Sequence, residues 1–338
     1  MTAVIEGFAR RWWRGDLAAT GKLLSLMAAP ASWLWSGASR ARMRAAAGAS
    51  TRVEGLRVIS VGNLAVGGTG KTPVAAWIAG TLHAGGVPTC VLVGGAGADE
   101  ALLHRRWNPE VPVLVGKERV ASAIRARDEG ARVAVLDDGF QHVRLARALD
   151  LVLLSADDPY PGATLPRGPY RESLNALARA HAVLVTRREA SADQARELAA
   201  RVDGMWPGLV WGGVHLADGS WARLDGTAGG PPQGAVLAVC GVARSDAFQA
   251  AVRRRTAGDV GLAAFPDHHG YSERDARRLR ERAGGRPLAC TEKDAAKLAP
   301  WAALLGDVFV LGDEIRWDWG EDTIRDRIEA RIATGARS

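Results

Sequence analysis

The sequence predicts an α/β protein: a mostly parallel sheet with helices on both faces, followed by a smaller second α/β lobe. Three observations predict it. Short apolar runs alternate with helix-like segments along most of the chain. Those runs are apolar throughout rather than at every second residue, as in strands buried on both faces. The 338 residues exceed what one small core needs, so two α/β domains, or one with additions, are expected. A composition of 47% hydrophobic and 24% charged residues is that of an ordinary globular chain.

Residues 1–45 form a segment of their own. Leu23 to Ser39 carries no charge and includes Leu24, Leu26, Met27, Trp33, Leu34 and Trp35. Arg10, Arg11, Arg14 and Lys22 precede it, and Arg40, Arg42 and Arg44 follow. Interrupted by Pro30, the run is shorter than the roughly 20 residues of a membrane span. Cations for headgroups and Trp near the boundary suit a helix lying in the membrane interface. A helix packed on the protein's own core and a signal peptide are the alternatives.

Residues 46–205 should form the main domain. Leu56 to Val61 is a buried strand, and Pro73 to Ala79 is helix-like. Between them lies Ala65-Val66-Gly67-Gly68-Thr69-Gly70-Lys71-Thr72, a P-loop with Ala in place of its first Gly. Its glycines let backbone N–H groups close around phosphates, where the helix N-terminus adds partial positive charge. Lys71 is expected to reach the β- and γ-phosphates and Thr72 to hold Mg²⁺. A glycine-rich turn that binds nothing is the bland alternative, and the strand and helix on either side weigh against it. The main domain is therefore P-loop NTPase-like, with ATP and Mg²⁺ as its cofactors. Export as a secreted protein would leave such a site without ATP, which argues against the signal peptide.

Further along, Thr89 to Val93 reads as a strand ending in Gly94-Gly95-Ala96-Gly97-Ala98-Asp99-Glu100. Val111 to Val115 reads as a third strand and Arg119 to Glu129 as a helix. Arg132 to Asp138 is a buried strand, and Leu149 to Leu154 and Ala182 to Thr186 add two more. Residues 206–234 are expected to hold a hairpin turning at Asp218-Gly219 and a Gly/Pro-rich linker from Asp225. Residues 235–338 make the second lobe: strand Ala235 to Cys240, helix near Ser245 to Arg255, strands Pro287 to Thr291 and Asp307 to Leu311, helix Glu321 to Ile332. Two lobes of this kind are expected to hold the site in the cleft between them.

The net charge of +7 is spread along the chain rather than gathered in one basic run, so anionic lipid or phosphorylated substrates are favoured over nucleic acid. Cys90, Cys240 and Cys290 sit in apolar runs with no C-x-x-C, which argues for reduced thiols in the cytosol and against zinc or disulfides.

Candidate chemistry gathers at strand ends. Asp137 and Asp138 end a buried strand, where open sheets bind ligands and a carboxylate holds Mg²⁺ or its water. Successive side chains on a strand point apart, so one can serve the metal and the other orient a partner. His142 follows in the same turn. Asp99 and Glu100 sit on a loop at the sheet's carboxyl edge, where a carboxylate can take a proton from a hydroxyl; a solvated acidic loop is the alternative. In Pro166-Arg167-Gly168-Pro169-Tyr170-Arg171-Glu172, Arg167 or Arg171 can grip phosphate, or make a surface turn paired with Glu172. Phe265-Pro266-Asp267-His268-His269 offers a His to tune a carboxylate base. In Thr291-Glu292-Lys293-Asp294 a helix cap is favoured over substrate contacts by Glu292 and Lys293.

These motifs, in this order, resemble the tetraacyldisaccharide 4'-kinase family of lipid A synthesis. The resemblance rests on Ser60-Val61-Gly62-Asn63-Leu64 with Gly67-Gly68-Thr69-Gly70-Lys71-Thr72-Pro73, on Asp137-Asp138-Gly139-Phe140-Gln141-His142 and on Arg144-Leu145-Ala146-Arg147. It continues in Leu165-Pro166-Arg167-Gly168-Pro169-Tyr170-Arg171-Glu172, Phe265-Pro266-Asp267-His268-His269 and Thr291-Glu292-Lys293-Asp294. It covers nearly the whole chain, and the Trp-rich start is similar to the family's membrane-associating helix. The resemblance implies a two-lobed kinase that transfers the γ-phosphoryl of ATP to the 4'-hydroxyl of a tetraacyldisaccharide 1-phosphate. It implies Asp99 as base, paired with His268. It also implies the cytoplasmic face of the inner membrane, a lipid disaccharide and an anionic membrane surface as partners, and no obligate protein partner. The chain departs from the family at Val93-Gly94-Gly95-Ala96-Gly97, where the family has S-R-G-Y-G-G and a longer loop. A membrane-bound, nucleotide-dependent switch or scaffold is the alternative function, though it needs neither Asp99 nor His268.

Overall fold

The computed structural model describes residues 7–9, 11–13, 15–95, 98–158, 162–242 and 245–333. Ala96, Gly97, Arg10 and Arg14, named above, lie outside the described residues. The chain divides into a larger unit, residues 9–216 and 315–338, and a smaller one holding residues 217–314.

In the larger unit, β1 (Arg57–Asn63), β2 (Thr89–Gly94), β3 (Val113–Gly116), β4 (Val133–Asp137), β5 (Leu149–Ser155), β6 (Ala182–Arg187) and the first part of β7 (Val210–Arg223) lie in the order β3-β2-β4-β1-β5-β6-β7. Their registers are parallel throughout. The unbroken apolar runs have the reason expected of them: alternate residues serve different layers. Ile59, Val61, Val135 and Leu151 pack on one side with Val74 and Ile78 of α3 (Lys71–Ala84) and Ile324 and Ile328 of α11 (Glu321–Ala333). Val58, Ala134 and Leu136 meet Ala123 and Ala126 of α5 (Arg119–Asp128), while Val152, Leu154 and Val183 meet Leu198 and Val202 of α6 (Ala192–Met205). Each buried Val, Leu or Ile among them contributes about 1.5–3 kcal/mol.

Within the N-terminal segment, helices α1 (Ala18–Met27) and α2 (Ala29–Ala47) are parted at Ala28, with Pro30 in the first turn of α2, where its missing N–H costs nothing. One side docks on residues 164–171 of the same unit. Buried Ser32 hydrogen-bonds Thr164 through both its carbonyl and its hydroxyl, and Trp35 Nε1 donates to the Arg171 carbonyl. Leu23, Leu26, Met27, Trp33 and Leu34 remain exposed, Leu34 at 76%. No described helix is long and apolar enough to cross a membrane.

In the smaller unit, β8 (Val236–Cys240), β9 (Val260–Ala264), β10 (Leu288–Thr291) and the first part of β11 (Val308–Trp319) run parallel in the order β11-β10-β8-β9. They are covered by α7 (Ser245–Arg255), α8 (Glu273–Ala283) and α9 (Glu292–Leu298), followed by the short α10 (Ala302–Leu305). A capping box between Ser272 and Asp275 starts α8, and Gly284 in the left-handed conformation ends it.

Three expectations are corrected. The hairpin at Asp218-Gly219 does not form, because both residues lie inside the single strand β7. Gly219 is there for closeness rather than a turn: a Cβ on it would lie 3.1 Å from the backbone of Gly312. Strand β11 does not stop at Leu311 but continues through Gly312 to Trp319. Asp99 and Glu100 lie in the first turn of α4 (Ala98–Trp107), not in a loop, and their charges suit that helix's positive end. Strand β9 and helix α8 carried no expectation from the sequence: β9 holds two of five residues as Gly or exposed Ala, and α8 is mostly charge.

Candidate active site

The loop after β1 is shaped as a phosphate cradle. Gly67 and Gly70 both take positive φ, at +127° and +85°, and Gly70 is the N-cap of α3. Open space surrounds the Cβ positions of Gly67 and Gly68, whereas a Cβ on Gly70 would lie 2.6 Å from Leu216 Cδ1. Buried Asn63 pins the loop from the strand end, its Nδ2 donating 2.8 Å to Thr69 Oγ1. Lys71 and Thr72 open α3, with Ala65 and Val66 on the approach.

The two carboxylates at the end of β4 part as the strand geometry requires. Asp137 is buried, and its Oδ2 accepts from His104 Nε2 at 3.0 Å. Asp138 takes φ +55° and turns the other way, its side chain 40% exposed. There its carboxylate lies 3.7 Å from Lys71 Nζ and accepts from Arg171 Nη1 at 3.2 Å. Burial pushes the Asp138 carboxyl up, but the charges of Lys71 and Arg171 outweigh it and hold it below the ordinary carboxylate range. Gln141 donates to the Asn63 carbonyl and to Glu172, which Arg179 clamps from the other side. Lys71, Asp138, Arg171, Glu172 and the P-loop are thus one network. Arg167 and His142 are exposed and take no part in these bonds. Asp137 Oδ1 is buried without a partner among the described residues, and such an oxygen beside a P-loop fits a Mg²⁺ ion or its bound water.

In the smaller unit, the two adjacent histidines do different things. His269 stacks on Phe265 with ring centroids 4.7 Å apart, and its Nε2 reaches Asp275 at 3.3 Å. His268 takes φ +59°, a conformation that costs a non-glycine residue about 1 kcal/mol, and leaves its ring exposed. Its backbone N–H is held by the Gly241 carbonyl. Thr291 does cap α9, accepting from the Asp294 N–H. Asp294 goes further than a cap: it is fully buried and accepts from Gly241 N–H, Tyr271 Oη and Thr291 Oγ1. Burial pushes its carboxyl up against those three bonds. Glu292 accepts from the Asp313 N–H, and Lys293 lies beside it in the first turn of α9.

Sequence reasoning missed His104, Arg179 and Arg119, whose buried guanidinium lies within electrostatic reach of Asp137 and Asp138. His104 sits in Leu102-Leu103-His104-Arg105-Arg106, which reads as an ordinary amphipathic helix. Only the fold brings it to the end of β4.

Comparison with known proteins fixes what this arrangement belongs to. The tetraacyldisaccharide-1-P 4'-kinase (LpxK) family model matches residues 24–99 and 93–333. The chain belongs to this family. The tetraacyldisaccharide 4'-kinase of Anaeromyxobacter sp. (strain Fw109-5) is 37% identical, with 96% of each chain covered. That of Syntrophobacter fumaroxidans is 36% identical over 80% of this chain and 78% of its own. LpxK from Aquifex aeolicus, solved in complex with ATP, shares the fold with a TM-score of 0.71 at 22% identity, covering 91% of this chain and 99% of that one. The two family matches overlap at residues 93–99, between β2 and the first turn of α4, where this kinase's sequence departs from the family motif.

Proposed function

We propose that this chain transfers the γ-phosphoryl of ATP to the 4'-hydroxyl of a tetraacyldisaccharide 1-phosphate. The observation that carries this reading is the phosphate cradle at the start of α3, with Lys71 and Asp138 beside it, in a chain that matches the kinase family over nearly its whole length. In the Ala65–Thr72 loop, Val66 N–H is held by the Pro169 carbonyl and Thr69 N–H by that of Gly67, so the other backbone N–H groups of the loop bind the phosphates, and Lys71 draws charge off the β- and γ-oxygens. Thr72, Asp137 and Asp138 would hold Mg²⁺, which when bound neutralises charge on the transferring group. Asp99 accepts the proton of the 4'-hydroxyl as its oxygen bonds to the γ-phosphorus and the bond to the β-phosphate oxygen breaks. His268 takes the family's role of tuning that proton transfer, while Arg171, with Arg167, His142, Glu172, Glu292 and Lys293 in lesser roles, meets the acceptor's polar groups. Binding and orientation supply most of the rate, as in other phosphoryl transfers.

Residues 1–45 attach the protein to the anionic cytoplasmic face of the inner membrane, laying the exposed apolar side of α1 and α2 into the interface. Incubating the purified protein with radiolabelled ATP and tetraacyldisaccharide 1-phosphate should give labelled lipid. No labelled lipid at any detergent level would sink the assignment. Nothing in the site favours the switch or scaffold reading.

A further inference from the structure

His104 and Asp137 form a pair that the family motifs do not name. His104 lies on α4 and Asp137 at the end of β4, and both are buried, at 1% and 3% exposure. A carboxylate taken from water to such a place needs a donor, and among the described residues His104 Nε2 supplies it, at 3.0 Å. Because the carboxylate can only accept, the ring carries its proton on Nε2. The contact occupies Asp137 Oδ2 and leaves Oδ1 as the oxygen without a partner among the described residues. His104 Nδ1 is also buried and has no hydrogen-bond partner among the described residues. Asp138 cannot take over this place, since its positive φ turns it toward Lys71 and Arg171.

We propose that His104 is a positioning residue: it fixes the Asp137 carboxylate so that Oδ1 is presented to the divalent ion that accompanies the nucleotide. The contact also ties the strand end to the helix whose first turn carries Asp99. A donor behind a ligating carboxylate works by removing its alternative orientations, and losing such a partner typically costs about 10–100-fold in metal affinity or activity. The inference rests on the kinase reading only for the placement of the ion beside ATP.

The test compares full-length wild-type protein with His104→Leu and His104→Gln. Mn²⁺ binding with a nonhydrolysable ATP analogue is read by electron paramagnetic resonance, beside kcat, lipid KM and thermal unfolding. His104→Leu should weaken Mn²⁺ binding about tenfold or more and lower kcat comparably, with lipid KM little changed. His104→Gln, whose amide can donate from nearly the same place, should recover most of both. Wild-type Mn²⁺ affinity in folded His104→Leu overturns the proposal, as does a folded His104→Gln no better than the Leu variant. If His104→Leu does not fold, His104→Gln decides alone: near-wild-type Mn²⁺ affinity supports the proposal and a tenfold loss overturns it. Absence of lipid phosphorylation in every form, with the Mn²⁺ difference intact, would overturn the kinase reading and leave this inference standing.

Discussion

Gly70 shows how one residue can be constrained twice. Its φ of +85° disfavours any side chain, and a Cβ would collide with Leu216 Cδ1. Gly70→Ala should therefore cost about 1–3 kcal/mol in urea unfolding and weaken ATP binding in calorimetry. A variant as stable as wild type would show that the loop relaxes freely. Asp99 and His268 carry the acid–base part of the proposed reaction. Asp99→Ala and His268→Ala should each lower kcat by about 10²-fold or more, with ATP affinity little changed. Near-wild-type turnover of Asp99→Ala would move the base elsewhere, with Glu100 the first replacement to test. His181 gives a pH prediction. Its Nδ1 accepts the Asp150 backbone N–H at 3.0 Å, which only a ring unprotonated at that nitrogen can do. Burial lowers its pKa, the nearby Arg331 and Arg147 charges adding to this and Asp150 opposing it. A histidine whose folded pKa is depressed contributes stability above its unfolded value, and loses it as pH falls from about 6.5. Melting curves from pH 7.5 down to 5 should show that loss, and His181→Leu should flatten it.

At the scale of elements, α1 and α2 show one docked side and one exposed apolar side. The choice lay between an interfacial helix and one packed on the protein, and the described segment has a side for each. Ser32 and Trp35 dock it, while Leu26, Trp33 and Leu34 stay exposed. Removing residues 1–45 would strip a partner from the Arg171 backbone, so point substitutions separate the two sides better. Leu26→Ser, Trp33→Ser and Leu34→Ser together should release the protein from anionic vesicles in flotation, with the melting temperature nearly unchanged. A large fall in melting temperature would show that these side chains pack within the protein. The β7 result is a lesson of the same scale. Asp-Gly permits a turn, but here the glycine serves the close approach of Gly312, which no local pattern reveals.

For the whole molecule, the charge of +7 has a measurable consequence. Basic residues near an anionic surface attract it by about 1 kcal/mol each, and salt screens them. Raising ionic strength from 0.05 to 0.5 M should weaken vesicle binding several-fold while leaving ATP affinity far less affected. Equal losses in both would place the basic charge at the nucleotide site instead.

The sequence by itself determined the parallel α/β architecture, the phosphate loop and the family, because each is written in contiguous residues: apolar runs, glycines at fixed spacing, a lysine at a helix start. It also separated Asp137 from Asp138, since adjacent strand residues must point apart. The tertiary structure decided which of the two is buried, through His104, which lies 33 residues away along the chain. It decided that Asp99 starts a helix, that Asp294 pins the β8 end and the Tyr271 ring, and that His269 stacks while His268 is left exposed. The physical reason is common to all of these. Backbone propensity and strand period act between near neighbours, whereas the partner that satisfies a buried polar group is chosen by whichever elements the fold brings against it.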